Sequence, residues 1–348
     1  VMGEDRESGP VNQPLEETDH RRVTLTEEIK SIALALGFHR VGITSADPVK
    51  EAGRQFSEWL ADGFAAEMTY LSKSPEIRSD PRRRFPEAKS MICLALNYYQ
   101  SPPQTFGKEF GTTEQTPSAD QSKGKIARYA WGEDYHTVIE EKLAELIIAI
   151  EVRGGRCWKG YVDHGPLLER AFAERAGIGF VGKNTLLITP NYGSWVFLAE
   201  VVTDLSLEID RPAVSECGAC RRCLDACPTG ALTEPFRLDA RRCLSYLTIE
   251  NKGPIPEEYL TRMEGWLFGC DLCQEVCPFN RSPIETDVAR LSHTRGAGPS
   301  IFLDDIRSIG ETRLFKERFG HTPLARAKRT GLIRNANAVE QSQKGETA

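Results

Sequence analysis

Cys217-Gly-Ala-Cys220-Arg-Arg-Cys223-Leu-Asp-Ala-Cys227-Pro228 stands two thirds of the way along the chain. Three cysteines separated by two residues each are followed, after three more residues, by a Cys-Pro pair. In this bacterial ferredoxin run the first three thiolates bind one 4Fe–4S cluster, and the fourth binds the other cluster. The spacing therefore predicts a ferredoxin-like segment that carries electrons one at a time.

A second motif, Cys270-x2-Cys273-x3-Cys277-Pro278, repeats the pattern but has Leu267 where its first cysteine would stand. Cys243 is the obvious substitute, supplied from a loop. The crossover rule then divides eight thiolates into two complete sets. One set is Cys217, Cys220, Cys223 and Cys277, and the other is Cys227, Cys243, Cys270 and Cys273.

Structural zinc is the alternative for paired Cys-x2-Cys motifs. Zinc sites rarely use three cysteines at this interval before a Cys-Pro pair, so the spacing favours two 4Fe–4S clusters. Ten cysteines in 348 residues without an export signal indicate metal binding rather than disulfides, and a reducing cytoplasm. Cys93 and Cys157 lie outside the motifs. We expect small buried residues there, with a place in the lining of a cofactor pocket as the alternative.

The bulk composition is that of a globular protein, with 40% hydrophobic and 27% charged residues. No apolar run approaches the ~18–20 residues that cross a bilayer, so we expect no membrane association. The net charge of −6 argues against a protein coated in nucleic acid, but it leaves room for a local basic face.

Helices and strands alternate up to residue 205, which predicts an α+β fold with an N-terminal α/β domain. The predicted helices start at the Thr24–Glu27 capping box and cover 51–60, 135–152 and 167–176. The predicted strands are 41–43, 90–99, 157–162 and a hairpin of 185–189 with 194–203, while 101–123 reads as a loop. The predicted division is a disordered leader 1–22, a catalytic domain 23–209, a cluster domain 210–285, a basic helical region 286–336 and a disordered tail 337–348.

Three segments before the cysteines are too specific to be scaffold alone. They are Arg128-Tyr-Ala-Trp-Gly-Glu-Asp-Tyr-His136, Asp163-His-Gly-Pro-Leu-Leu-Glu-Arg170 and Gly177-Ile-Gly-Phe-Val-Gly-Lys-Asn-Thr185. With both cysteine motifs and the basic stretch 322–336, they follow the order found in epoxyqueuosine reductases. From about Leu25 to Asn335 the chain resembles that family.

The resemblance implies a fold, two kinds of cofactor and a substrate. The N-terminal domain would bind base-off cobalamin in a fold similar to that of reductive dehalogenases, and two 4Fe–4S clusters would feed electrons to cobalt from a flavodoxin or ferredoxin system. The substrate would be epoxyqueuosine at the wobble position of tRNAs with a GUN anticodon (Tyr, His, Asn, Asp), and the products queuosine and water. The enzyme would be a monomer. Longer members add HEAT-like repeats, which residues 337–348 do not provide.

The resemblance also implies that Asp134 is the general acid that protonates the departing oxygen. Asp134 precedes a predicted helix, however, and Asp is a favoured N-cap there. The two roles conflict, because a helix N-terminus stabilises a carboxylate, whereas burial against a corrin ring would raise its pKa. His136 is a candidate proton relay or substrate contact, with a surface histidine as the alternative.

Further candidates for the cofactor region are Asp163, Lys183 and Asn184, which the resemblance implies and which tight turns would also explain. Tyr98 ends an apolar strand, where it would stack on the corrin or a base, or belong to the core. Positive charge is concentrated near the C-terminal end, and a phosphate-contacting surface competes there with a solvated helix face. The candidate tRNA contacts are Arg326, Lys328, Arg329 and Arg334.

Two other functions fit parts of the pattern. A cobalamin-dependent reductive dehalogenase acting on a small organohalide would leave the basic stretch without a purpose. An electron carrier with no substrate of its own would bind no corrinoid.

Overall fold

The computed structural model describes residues 14–103 and 122–345. The helices in these ranges are α1 (Pro14–Ala35), α2 (Lys50–Ala61), α3 (Pro75–Ser79), α4 (Tyr135–Val152), α5 (Glu169–Arg175), α6 (Arg222–Asp225), α7 (Leu244–Ile249), α8 (Glu257–Leu260), α9 (Leu272–Glu275), α10 (Leu303–Arg307), α11 (Thr312–Phe319) and α12 (Lys328–Gly345). The strands are β1 (Arg40–Ser45), β2 (Ser90–Asn97), β3 (Lys123–Ile126), β4 (Cys157–Tyr161), β5 (Phe180–Val181), β6 (Leu187–Ile188), β7 (Val196–Thr203), β8 (Leu232–Glu234), β9 (Arg237–Leu238), β10 (Trp266–Phe268) and β11 (Ser300–Phe302). Within these ranges, none of the helices has the length and apolar character needed to cross a membrane.

A four-stranded antiparallel sheet in the order β1-β2-β7-β4 forms the centre of the N-terminal part. All eight residues of β2 are buried, because β1 and β7 flank it and apolar clusters cover both faces. A continuous apolar sequence is expected of such a strand. The strand predicted at 90–99 is therefore confirmed, two residues shorter.

Helix α4 covers one face of this sheet and begins at the candidate site. Its buried stripe is Val138, Ile139, Leu143, Leu146 and Ile150. Side chains of this size stabilise the fold by about 1.5–3 kcal/mol each when fully buried. The core therefore fixes where the N-terminus of α4 lies, and the helix has the predicted bounds.

A second sheet, in the order β10-β3-β11, joins the two ends of the chain. Strand β3 precedes α4, yet it pairs in parallel with β10 and antiparallel with β11, which both follow the first cysteine motif. Ile126 and Trp131 share a core with Phe268 and Leu332. The N-terminal part and the cluster region thus share a sheet and a core across the boundary expected at residue 209.

A helix extends into each of the two terminal segments expected to be disordered. Helix α1 begins at Pro14, inside the expected disordered leader, and Thr24 lies within it; residues 1–13 are outside the described ranges. Helix α12 runs to Gly345, inside the expected tail, because Ala336 and Val339 are buried in the same core as Trp266. The loop predicted at 101–123 lies mostly outside the described residues, and its end is β3.

The predicted hairpin of 185–189 with 194–203 is wrong. Strand β6 pairs with β5, whereas β7 pairs along its whole length with β2 and also with β4. A single bridge joins Thr189 to Gly193. The eight-residue pairing with a buried central strand satisfies more backbone groups than a short hairpin would.

Candidate functional site

Four thiols line a cavity where the first cysteine motif meets the end of the second. Cys217, Cys220, Cys223 and Cys277 line a small pocket that is open to solvent. Lys183 lies in the same wall, and its Nζ donates to the carbonyls of Gly218 and Cys220 at 2.6 and 2.9 Å. The structure thus brings together the four residues expected to hold the first cluster.

The remaining four thiols of the motifs form a second group. Burial raises the pKa of both Cys270 and Cys273, and the neighbouring thiols of Cys243 and Cys227 raise it further. Such mutual effects require short distances between the sulfur atoms. Cys243 reaches the group from the N-cap of α7.

Two groups of four thiols fit two 4Fe–4S clusters, since each cubane takes four thiolates. A bound metal keeps its cysteine ligands deprotonated, so it would offset the cost of burying them. The backbone N–H of Ala231 donates to Cys227 Sγ at 3.2 Å. Hydrogen bonds of this kind to sulfur help to set the reduction potential of a cluster.

Asp134 lies where the N-terminal part meets the C-terminal region. It is the N-cap of α4, and its Oδ1 accepts the backbone N–H of His136 at 3.0 Å. Its own backbone N–H donates to the carbonyl of His321 at 2.8 Å. The side chain of the preceding Glu133 pairs with Arg290 at 2.8 Å. Contacts to residues far along the chain therefore set the position of this carboxyl group.

A chain of polar side chains leads from Asp134 to the surface. His136 Nδ1 lies 2.8 Å from Asp134 Oδ1, and His136 Nε2 lies 3.9 Å from Asp163 Oδ2. The Tyr135 hydroxyl donates to the same Asp163 oxygen at 2.5 Å. The side chain of Asp163 is 66% exposed, so this end of the chain opens to solvent, in the candidate cofactor cleft around Asp163.

The two ends of the Asp134–His136 contact differ in charge. Burial alone would raise the pKa of Asp134, but the hydrogen bonds from His136 outweigh it, and the pKa lies below the usual value. Burial alone would lower the pKa of His136, but Asp134 and then Asp163 raise it above the usual value. The site therefore favours a carboxylate on Asp134 and an imidazolium on His136.

Arg128 connects this site to the second thiol group. Its backbone N–H donates at 2.7 Å to Asp271, the neighbour of Cys270. Its guanidinium lies 4.6–5.0 Å from the ring centroids of Tyr99, Trp131 and Trp195. The segment that carries Asp134 thus lies beside the residues that would hold the second cluster.

Polar groups at the cleft fit the amide side chains of cobalamin. Asp163 is exposed and Glu169 is partly exposed, and Glu169 Oε1 has no hydrogen-bond partner among the described residues. Burial raises the pKa of Glu169 to about 8, and the charge of Asp163 adds to this effect. Arg170 is exposed beside them. Amides both donate and accept hydrogen bonds, so carboxyl and guanidinium groups match them.

Other predicted cofactor residues lie away from this cleft. Cys93 is 0% exposed in the middle of β2, where nothing bound in the cleft would reach it. Tyr98 is buried, and its hydroxyl donates to Gln274, the neighbour of the second thiol group. Lys183 and Asn184 line the first thiol group. The structure thus brings only Asp163 and His136 to the cleft near Asp134.

The predicted tRNA contacts differ in whether their side chains are bonded within the protein or exposed at its surface. Arg334 is partly buried and donates to three backbone carbonyls at 2.6–2.8 Å, so its guanidinium is used inside the protein. Arg329 donates to the Ile309 carbonyl. Arg326 pairs with Glu250 on the surface, and Lys328 is exposed.

Sequence reasoning missed three residues of this region. Tyr135 and Glu169 stand inside motifs that the sequence singled out, but what acts on both of them is Asp163, in the loop after β4. Glu200 is 0% exposed in β7, and neither of its carboxyl oxygens has a partner in the described part of the chain. One acidic residue within the apolar run of β7 was the available signal.

The chain matches two family descriptions. Residues 216–280 match a 4Fe-4S double cluster binding domain, and residues 78–164 match epoxyqueuosine reductase QueG, DUF1730. An epoxyqueuosine reductase from Gloeobacter violaceus is 43% identical over 324 residues, which are 90% of this chain and 94% of that relative.

Solved structures of epoxyqueuosine reductase share the fold. A selenomethionine-labelled form has a TM-score of 0.82 and 35% identity, over 93% of this chain and 83% of that one. A form with an epoxyqueuosine-modified tRNA-Tyr stem loop has a TM-score of 0.81 and 35% identity, with the same coverage. The similarity therefore extends over both the N-terminal part and the cluster region.

Proposed function

The chain belongs to the epoxyqueuosine reductase family, and we propose that it reduces epoxyqueuosine to queuosine at the wobble position of tRNA with Asp134 as the proton donor. It does so with two 4Fe–4S clusters and cobalamin. One observation carries the proposal: a relative of this activity is 43% identical over 90% of this chain and 94% of its own length.

The overall reaction requires two electrons and two protons, because the epoxide becomes an alkene and its oxygen leaves as water. Bound cobalamin would supply a strongly reducing cobalt centre, and the clusters held by the eight thiolates would supply its electrons one at a time. Asp163, Glu169 and Arg170 would hold its amide side chains, with the cofactor base-off. Asp134 directs a proton to the departing oxygen, for which a positioned acid contributes about 10²–10⁴-fold.

The assignment of single residues and partners belongs to the same proposal. The first cluster would use Cys217, Cys220, Cys223 and Cys277, and the second Cys227, Cys243, Cys270 and Cys273. A flavodoxin or ferredoxin system would supply the electrons to a monomeric enzyme in the cytoplasm. The tRNA would be one with a GUN anticodon, held in part by Lys328 and Arg326 near the cleft.

Anaerobic reconstitution with iron, sulfide and cobalamin tests the function. The loaded protein is incubated with a reductant and tRNA that contains epoxyqueuosine, and nucleosides are analysed by mass spectrometry. We expect the modified nucleoside to lose one oxygen atom. Asp134→Asn should lower the rate about 10²–10⁴-fold, while the iron content and the corrinoid spectrum stay as in the wild type.

Asp47→Asn is the matched control, because Asp47 is an exposed aspartate that pairs with Arg82 on the surface. It should react like the wild type. Full activity in Asp134→Asn would remove the proton-donor assignment. Corrinoid binding by the wild type without any change in the nucleoside would contradict the function itself.

A further inference from the structure

The contacts of Asp134 favour its charged carboxylate form, although its proposed role requires a proton. Its Oδ1 caps α4 by accepting the backbone N–H of His136, and the positive end of a helix dipole favours negative charge. The same oxygen lies 2.8 Å from His136 Nδ1. A proton held by this pair therefore resides mainly on the histidine ring.

The surroundings of His136 favour its positive charge from both sides of the ring. Asp134 lies at Nδ1, and Asp163 lies 3.9 Å from Nε2. Burial opposes the charge, but these carboxylates hold the pKa of His136 above its usual value. The Tyr135 hydroxyl donates to Asp163 and keeps that carboxylate oriented.

Resting on the proposed function, we propose that His136 and Asp134 act as one proton-delivering pair, in which the His136 ring stores the proton and Asp134 passes it to the departing oxygen. Every contact to Asp134 in the described ranges falls on Oδ1 or on its backbone. With Oδ1 engaged in this way, the proposal places Oδ2 on the substrate side.

The transfer balances within the proposed reaction. As electrons enter the epoxide and a carbon–oxygen bond breaks, the oxygen gains negative charge. The Nδ1 proton moves to Asp134 Oδ1, and a turn of the carboxyl group about its Cβ–Cγ bond brings this same proton to the substrate side, where it passes to the departing oxygen. The imidazolium thereby becomes neutral imidazole. The pair then takes up a proton from solvent, through the exposed Asp163 side of the cleft, and supplies the second proton of the water that leaves.

Few other charged groups face the His136 ring. Glu140 lies one turn further along α4 and adds to the effect of the two aspartates. His164 approaches from the loop after β4, with ring centroids 5.5 Å apart, and pairs with Glu140 at 3.4 Å. The Tyr135 ring stacks on His136 at 4.2 Å. The carboxylates therefore dominate the field at the ring.

The proton held on the His136 ring can be measured without turnover. Histidine labelled with ¹³C and ¹⁵N in the reconstituted protein, with cobalt as Co(III) and the clusters oxidised, gives the titration of each ring by NMR. His136→Gln identifies the His136 signal by its loss. We expect a pKa above 6.5 for His136, and a decrease of about one unit, or 1.4 kcal/mol, in Asp134→Asn and a smaller decrease in Asp163→Asn.

Activity gives the second readout. His136→Gln keeps the backbone N–H that caps α4, so the fold should persist while the rate at neutral pH falls about 10²-fold. The wild-type rate should decrease as pH rises through the His136 pKa, and this limb should disappear in His136→Gln. His164→Gln, the control at the neighbouring ring, should keep both the rate and the pH profile.

A His136 pKa at or below 6.5 in the wild type would overturn the proposal. An unchanged rate and pH profile in His136→Gln would overturn it as well. Failure of the wild type to reduce epoxyqueuosine would contradict the proposed function instead, and the NMR titration would still decide whether the pair stores a proton.

Discussion

Cys243 is the thiol on which the second cluster depends, because Leu267 stands where the motif would otherwise supply a ligand. Cys243 is partly buried, and burial raises its pKa, with a further rise from the neighbouring Cys227. Cys243→Ala should therefore lower the iron content from about eight to about four atoms per chain. Iron analysis and electron paramagnetic resonance of the reduced protein measure the loss, and the signal of the first cluster should remain.

Cys157→Ala is the control for this substitution, since Cys157 lies in β4 and outside both thiol groups. It should keep the full iron content. A full complement of iron in Cys243→Ala would show that another residue completes the second cluster.

Residues differ in how far sequence predicts them. The cysteine grouping followed from spacing alone, because ligand number and crossover are properties of the cofactor. For Asp134 the sequence allowed two roles, the N-cap of α4 and the general acid. In the structure its carboxyl group caps α4 and also contacts His136, whose surroundings favour the charged ring. The partners of Asp163 and the orphaned Glu200 were not predictable, because they depend on contacts between elements distant in sequence.

At the scale of elements, the loop before α4 is held by close backbone approaches. Gly132 packs against the backbone of Leu291 and Gly296, and a methyl group at Gly132 would overlap the Leu291 carbonyl. Gly132→Ala should therefore shift the loop, at a cost of about 1–3 kcal/mol for overpacking, and displace Asp134. We expect a rate at least about tenfold lower with both clusters retained, measured by the nucleoside assay and iron analysis.

Gly310→Ala is the matched control, because a methyl group at Gly310 would contact nothing within 4 Å. It should leave the rate unchanged. Equal rates in the two variants would mean that the loop tolerates the displacement, and that its position does not limit catalysis.

Elements with a strong local signal were predicted well. The helix predicted from the 3.6-residue period of α4 and the strand predicted from the apolar run of β2 are both present. Each forms because the apolar side chains that make its pattern are buried in the core. The hairpin prediction failed because β7 finds a longer partner in β2, and β3 was missed because its partners β10 and β11 come from the far end of the chain. Pairing between distant strands leaves little trace in local sequence.

At the scale of the whole molecule, a net charge of −6 coexists with a basic C-terminal region, whose charges serve two different purposes. Arg334 stabilises the fold by donating to carbonyls of the cluster region, whereas Lys328 projects into solvent. Counterion release makes each phosphate contact visible in the salt dependence of binding, with a slope of about 0.7–0.9 per contact. The two residues therefore differ in a measurable way.

Lys328→Gln should weaken the binding of unmodified tRNA and reduce the slope of log Kd against log salt by about 0.7–0.9, without changing the melting temperature. Arg334→Ala should lower the melting temperature, because it removes hydrogen bonds to three partly buried carbonyls, worth about 1 kcal/mol each, and should keep the wild-type salt slope. Titrations at several salt concentrations and thermal melts separate the two. If the slope decreased in Arg334→Ala and not in Lys328→Gln, the phosphate contact would belong to Arg334. The tRNA would then lie on a different face of α12.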